Sequence, residues 1–454
     1  MRALAGTLAL LIATPPLAAV AAPPATTPEA RAAAPSAPTG GVVRRTDVVD
    51  VGGVRGYVRT DAAALLAGVE LVVRAGLDRQ TGSENGVAAL VAETVLRTPV
   101  SDAPNGAAGP PVPLADAVEA RGASIGYAIG LQSVRFYLEG PPDALAATAP
   151  LVARALRAPS FADATLAAAR ASLAERLSDE DSDPRLIGRA MLRTSYYRGS
   201  AGLPPFANAA ALAAVTPAAA QAFHARWYLR GGATVAAVGR TGDATSAASS
   251  ALVAALPEGG APSAPLTTRP PAANAKRIVT HRDVSAPYVV LGFAAPSLGE
   301  RDFAAALVVR TLLASLFGRP GATTPPPAFR AGGTIYGYDA APAQMIVWMN
   351  GSRIDAETGL AALLVVIKSA GAKPLSAAAL SRFKETARGE WALETMTLDD
   401  RARAIADASL RGLDADAGDG VRAAIAGVTA ADVQRVAKKY FQKFDLALIL
   451  PRDG

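Results

Sequence analysis

The sequence contains no cysteine and only two histidines, His224 and His281. The absence of cysteine excludes disulfides, thiolate metal sites and a cysteine nucleophile. A catalytic zinc usually has three protein ligands, most of them histidine or cysteine, whereas these two histidines lie far apart with no second ligand at helical spacing. We therefore expect no conventional catalytic zinc site in this chain.

Long hydrophobic runs and clustered charges are scarce as well. The 45 basic and 39 acidic residues leave a formal net charge of +6, carried mostly by isolated arginines, which disfavours nucleic-acid binding. The apolar stretch at residues 4–12 is shorter than the roughly 20 residues that a membrane span needs. It follows Arg2 and precedes an A-x-A site at residues 19–21, a pattern typical of a cleaved signal peptide. Residues 1–21 therefore predict a periplasmic or secreted protein with no transmembrane segment after cleavage.

Two segments rich in proline, alanine and small polar residues divide the rest of the chain. Residues 22–43 have almost no large apolar side chain, so we interpret them as a disordered tether. Residues 257–275, PEGGAPSAPLTTRPPAANA, have the composition of an extended linker. These segments leave an N-terminal domain at residues 44–256 and a C-terminal domain at residues 276–454.

The two predicted domains share one sequence pattern. Residues 215–240 and 428–452 each contain a threonine suited to cap a helix, apolar residues at helical spacing, an aromatic pair and an apolar strand. A looser match links residues 160–185 with residues 375–401 at nearly the same spacing, which argues for duplication. Both domains also interleave strands with helices. The predicted fold class is α+β, with two duplicated domains that each pack helices on a mixed β-sheet.

Residues 74–96, RAGLDRQTGSENGVAALVAETVL, resemble the segment of pitrilysin/insulinase-family and processing-peptidase-like metallopeptidases that carries the inverted zinc motif H-x-x-E-H. Alignment on the glycine before the motif places Ala89 at the first zinc histidine, Ala92 at the catalytic glutamate and Glu93 at the second histidine. Ala169 lies near the third zinc ligand, which is a glutamate in active members. Alanine offers no lone pair to a metal and cannot act as a base. The resemblance therefore implies a degenerate zinc motif, no bound cofactor and no catalytic residue in this chain alone.

A second similar segment lies in the C-terminal half. The stretch AFRAGGTIYGYD, residues 328–339, is similar to the family's segment that contacts the substrate through an arginine and a tyrosine. The resemblance implies Arg330 as the arginine and Tyr336 as the tyrosine, with Tyr338 as the other candidate. A guanidinium and a phenol can hydrogen-bond a substrate carbonyl and stabilise an oxyanion. The alternative is a surface arginine followed by tyrosines at amphipathic strand positions.

The resemblance implies a non-catalytic, substrate-binding subunit that forms half of a clamshell peptidase. A homologous partner would carry the zinc, and unfolded peptides would be the substrate, since strand edges can pair with an extended backbone. Two alternatives stay open. One is a structural or peptide-binding scaffold with no role in proteolysis. The other is a self-sufficient hydrolase that uses an unrecognised carboxylate site, although the acidic run at residues 175–183 is typical of a solvated helix end.

Overall fold

The computed structural model of the protein describes residues 45–101, 110–204, 208–260, 266–269, 277–317, 331–337, 342–351 and 356–452. The predicted signal peptide and tether lie outside these residues. In the ranges that are described, no single helix is long and apolar enough to span a membrane. Among the described helices, one bent pair, Leu363–Ala372 and Ala377–Leu393, reaches the required length and composition, with an angle of 115° between its members.

The first half of the chain builds a six-stranded sheet. The eight strands described in this half are β1 (Asp47–Val51), β2 (Val54–Thr60), β3 (Ala67–Val73), β4 (Pro99–Val100), β5 (Val112–Pro113), β6 (Ser124–Ile129), β7 (Val134–Gly140) and β8 (Thr234–Gly239), of which all but β4 and β5 belong to the sheet. Its helices are α1 (Val87–Arg97), α2 (Leu114–Glu119), α3 (Pro142–Arg157), α4 (Asp163–Ser182), α5 (Pro184–Tyr196), α6 (Ala209–Ala214), α7 (Pro217–Trp227) and α8 (Asp243–Ala255). The strand order is β1-β2-β8-β3-β7-β6, and only β2 and β8 are parallel neighbours. Strands β4 and β5 form a separate short pair.

The second half builds a five-stranded sheet. Its strands are β9 (Arg277–Arg282), β10 (Tyr288–Ala295), β11 (Ala331–Gly337), β12 (Ala343–Asn350) and β13 (Asp445–Pro451). Its helices are α9 (Phe303–Ala314), α10 (Ala356–Ala372), α11 (Ala377–Leu393), α12 (Leu398–Leu410), α13 (Ala417–Gly427) and α14 (Ala430–Tyr440). The strand order is β11-β12-β10-β13-β9, and only β13 and β9 are parallel neighbours.

The two sheets repeat one topology. Strands β6, β7, β3, β8 and β2 have the same order and the same relative directions as β11, β12, β10, β13 and β9. The first sheet differs by one additional strand, β1, at its edge. The predicted α+β class with a duplicated pattern of helices on mixed sheets is therefore confirmed.

The predicted helix starts explain part of this repetition. Thr216 caps α7 by accepting a hydrogen bond from the amide of Ala219 at 3.1 Å, and Pro217 occupies the first turn. Thr429 caps α14 in the same way, through the amide of Asp432 at 3.1 Å. Each helix then leads into a buried strand, β8 or β13, as the sequence pattern predicts.

Each half lends one helix to the sheet of the other half. Helix α5 comes from the first half but packs on β10 and β13 of the second sheet. Helix α12 comes from the second half but packs on β3 and β8 of the first sheet. Because of this exchange, the residues beyond position 40 form one compact unit, although each half has its own sheet.

The predicted linker is partly described. Within it, Thr268 forms a β-bridge with Tyr197, and the amide of Arg198 donates to the carbonyl of Thr267 at 2.9 Å. Leu266 packs beside Tyr196. This part of the linker is therefore attached to the end of α5.

Candidate functional site

The degenerate zinc motif lies on α1, at the centre of the first half. Gly86 precedes the helix with a φ of 92°, in the left-handed region that favours glycine. The buried side chain of Gln80 accepts hydrogen bonds from the amides of Gly86 at 3.1 Å and Ala88 at 3.5 Å. These two hydrogen bonds satisfy amides of the first turn that have no partner within the helix, and they hold the start of the helix in place.

The three alanines at the predicted ligand and base positions are packed in the core. Ala89 and Ala92 on α1 and Ala169 on α4 are each 0% exposed and belong to the same hydrophobic cluster, where α1 packs against α4. Methyl groups therefore occupy the positions that the resemblance assigns to zinc ligands and the base. Nowhere in the described ranges do three histidine, cysteine or acidic side chains lie where they could hold a metal.

Glu93, at the predicted position of the second histidine, is the polar centre of the region. It is 1% exposed and forms ion pairs with Arg97 at 2.9 Å and Arg176 at 3.5 Å. The hydroxyl of Tyr127, on β6, donates at 2.9 Å to Oε2, the carboxylate oxygen that Arg176 also contacts, whereas Arg97 contacts Oε1. Burial and the neighbouring Glu93 charge raise the pKa of this phenol, so Tyr127 stays a proton donor.

The two arginines are less buried than the carboxylate between them. Their side chains are 37% exposed for Arg97 and 41% exposed for Arg176. Arg97 also donates to the hydroxyl of Ser172 at 3.1 Å, and Arg176 lies over the ring of Tyr127 at 4.9 Å from its centroid. The Glu93 cluster, defined as Glu93, Arg97, Tyr127, Ser172 and Arg176, thus joins α1, α4 and β6.

Sequence reasoning identified only Glu93 in this cluster. The spacing of four residues between Glu93 and Arg97 was a usable signal, because such pairs face each other on a helix. Arg176 and Tyr127 gave no such signal, since their proximity to Glu93 depends on how α4 and β6 pack on α1.

Among the described strands, none pairs with the outer edge of β6, which lies beside this cluster. In the described part of the first sheet, β6 pairs only with β7. The amide of Gly130 donates to the carbonyl of Ser133 at 2.8 Å, so these two residues form a hydrogen-bonded pair. Along antiparallel strands, hydrogen-bonded residue pairs alternate with pairs that share no hydrogen bond. The backbone groups of Ile125, Tyr127 and Ile129 consequently point away from β7, where a further strand could pair with them.

Only one of the three predicted substrate contacts in the second half is described. Tyr336 lies on β11, is 8% exposed, and packs its ring 5.7 Å from that of Phe303. Its hydroxyl donates to the carbonyl of Pro296, and burial raises the pKa of the phenol. A substrate would reach this phenol only after that contact opened, as expected for a packed strand position. Arg330 and Tyr338 lie outside the described residues, and the role of all three stays a prediction.

The chain is similar in sequence to one protein family and in fold to several solved structures. A family model described as the peptidase M16 inactive domain matches residues 214–322. The solved peptidase M16 inactive domain from Pseudomonas fluorescens is 16% identical with a TM-score of 0.76, covering 90% of this chain and 98% of that chain. A protease from Helicobacter pylori is 14% identical with a TM-score of 0.74, covering 89% and 99%. A chain of complex III2 from Candida albicans is 15% identical with a TM-score of 0.70, covering 89% and 95%. No functionally curated protein matches the sequence.

Proposed function

We propose that this chain, a homologue of the M16, or pitrilysin, peptidases that carries their inactive domain, is a non-catalytic peptide-binding subunit. In this proposal it pairs with a zinc-bearing homologue, which supplies the metal, its ligands and the base. The observation that carries the proposal is the combination of a packed motif helix with an open strand edge beside it.

The motif helix supports a non-catalytic role. Ala89, Ala92 and Ala169 have no atoms that could bind a metal, and they are buried among apolar neighbours. Glu93 is occupied by two guanidinium groups and a phenol. Activation of a water molecule for peptide hydrolysis needs a Lewis acid or a base; the alanines provide neither, and the carboxylate of Glu93 is engaged by its three partners.

The open edge of β6 supports peptide binding. An extended peptide can add to a sheet edge through main-chain hydrogen bonds, which are independent of its sequence. The outward backbone groups of Ile125, Tyr127 and Ile129 would make those bonds. An unfolded peptide would fit this edge, whereas a folded protein presents few free strands to it.

A mixing experiment tests the shared site. Hydrolysis of an unfolded peptide is measured with added zinc for this chain, for a zinc-motif homologue from the same cell, and for both together. We expect activity to appear or to rise strongly only in the mixture. Arg330→Ala is expected to lower the activity of the mixture about a hundredfold, if the guanidinium stabilises the oxyanion. Arg189→Ala, which removes an exposed arginine from α5, is the matched control.

The outcomes separate the alternatives. No gain on mixing would favour the structural or peptide-binding scaffold, and zinc-dependent activity of this chain alone would overturn the proposal. A comparison of Tyr336→Phe with Tyr338→Phe shows which phenol takes part. Because the Tyr336 hydroxyl is already bonded to Pro296, we expect Tyr336→Phe to affect stability more than activity.

The β6 edge is tested separately by direct peptide binding. Ile125→Pro removes an outward amide, whereas Ile125→Ala shortens the same side chain and keeps the amide. We expect weaker binding only for the proline variant, as measured by the fluorescence anisotropy of a labelled unfolded peptide. Equal affinities of the two variants would show that the peptide binds elsewhere.

A further inference from the structure

The Glu93 cluster has more positive than negative charge. Two guanidinium groups, those of Arg97 and Arg176, surround a single carboxylate. Tyr127 and Ser172 contribute neutral hydroxyls. One positive charge is therefore left uncompensated within the cluster.

Both arginines also keep hydrogen-bond donors to spare. Arg97 uses its Nε for Glu93 and one Nη for Ser172, and its second Nη has no partner among the described residues. Arg176 contacts Glu93 through a single Nη at 3.5 Å and otherwise stacks on Tyr127. A guanidinium has five N–H donors in a planar fork, which suits a second carboxylate. At 37% and 41% exposure, both side chains can be reached from solvent.

The two arginines lie close to the place where a peptide would pair with β6. The guanidinium carbon of Arg176 lies 4.9 Å from the ring centroid of Tyr127, which is the middle residue of the outward-facing set. A peptide strand that paired with β6 would lie about 4.8 Å from the backbone of β6. Side chains of that peptide on the Tyr127 side of the sheet would therefore extend toward α1 and α4, where the two arginines are.

We propose that Arg97 and Arg176 form a carboxylate-binding site that selects peptides with an acidic group beside Tyr127. This inference rests on the proposed peptide-binding function and names the class of peptide. The acidic group is either a Glu or Asp side chain or the C-terminal carboxylate, and both offer the two oxygens that a guanidinium binds. Glu93 holds the two arginines in place and prevents their mutual repulsion.

The test measures binding of matched unfolded peptides by fluorescence anisotropy at low and moderate salt. The peptides share one sequence and differ in a central Glu or Gln and in a free or amidated C-terminus. We expect the Glu peptide, or the peptide with a free C-terminus, to bind about tenfold more tightly than its neutral counterpart. The preference should weaken with salt, since the arginines are partly exposed.

Arg176→Gln is the main variant, because Arg97 remains to neutralise Glu93. We expect it to lose the preference for the acidic peptide and to keep its affinity for the neutral one. Arg189→Gln, which removes an exposed arginine from α5, should keep the preference, and thermal melting should show that both variants are folded.

Each outcome has a distinct meaning. A preference that survives in Arg176→Gln would overturn the carboxylate site. Equal binding of acidic and neutral peptides to the parent protein would also overturn it, while leaving the proposed peptide-binding function intact. If no peptide binds at all, both proposals fail.

Discussion

The two exchanged helices, α5 and α12, cover equivalent faces of the two sheets with different chemistry. Under α5 the contact is mostly apolar, made by Ile187, Leu192, Val290, Ile346, Ala447 and Ile449. Under α12 the apolar cluster has two alanines, Ala236 and Ala402, beside Tyr57, Val238 and Ile405. The same face of the first sheet also buries a carboxylate, that of Glu70.

Glu70 lies on β3 and is 0% exposed. Among the described residues it forms an ion pair with Arg135 on β7 at 3.4 Å, while Asp399 and Asp407 on α12 add negative charge nearby. Burial, and to a smaller extent these two aspartates, raise the pKa of Glu70 to about 8 despite the attraction of Arg135. The guanidinium of Arg74 donates to the backbone carbonyl of Leu410 on α12 at 2.8 Å, so it does not pair with a carboxylate through this bond.

One topology therefore supports two kinds of interface. Apolar burial supplies most of the α5 contact, and that contribution does not depend on pH. A buried carboxylate makes the α12 contact depend on protonation, because the charged form is costly in an apolar surrounding. We therefore expect the α5 interface to be the stronger and the α12 interface to be the pH-sensitive one.

Among truncations of single side chains, the greatest loss of stability is expected in the α5 interface. Leu192 is 0% exposed, so Leu192→Ala should lower the free energy of unfolding by about 3 kcal/mol. Because each sheet is covered by a helix from the other half, both sheets should lose stability together. Hydrogen exchange of β3 and β10 measures this directly.

The matched variant acts on the other exchanged helix. Ile405→Ala, on α12, should produce the same joint loss of protection in β3 and β10, with a smaller amplitude because two residues of its cluster are alanines. If Leu192→Ala lowers hydrogen-exchange protection in β10 alone, the two halves unfold independently although they exchange helices.

The second effect concerns pH. The pKa of Glu70 is raised from its ordinary value of 4.5 to about 8, so the folded protein keeps a proton that the unfolded chain releases. The resulting stability is complete below pH 4.5 and is lost as the pH rises to about 8, at roughly 1.4 kcal/mol for each pH unit. Glu70→Gln should remove this slope and should be more stable than the parent protein at pH 9.

The control for this prediction is Glu258→Gln, at a side chain that is 91% exposed. It should leave the slope unchanged. The measurement is urea unfolding at several values between pH 5 and pH 9. A slope that persists in Glu70→Gln would assign the pH dependence to another group.

Much of the fold, and part of the site, could be predicted from local sequence. The caps at Thr216 and Thr429 and the buried strands after them follow from side-chain chemistry and hydrophobic periodicity. The exchange of α5 and α12 could not be predicted, because periodicity shows which face of a helix is buried but not against which sheet. For the same reason Glu93 could be singled out from its motif, whereas Arg176 and Tyr127 could not.

The smallest effect compares one serine in each interface. Ser195 on α5 donates to the buried carboxylate of Asp445 at 2.6 Å, whereas Ser409 on α12 accepts from the neutral hydroxyl of Tyr57 at 2.8 Å. Bonds to a charged group are the stronger, so Ser195→Ala should cost about 2 kcal/mol and Ser409→Ala about 1 kcal/mol. Urea unfolding is measured for both variants, for Asp445→Asn and for the double variant Ser195→Ala with Asp445→Asn. If the double variant is as unstable as the sum of its single changes, the serine and the carboxylate are not coupled. The contrast between the two interfaces would then rest on Glu70 and the size of the apolar side chains alone.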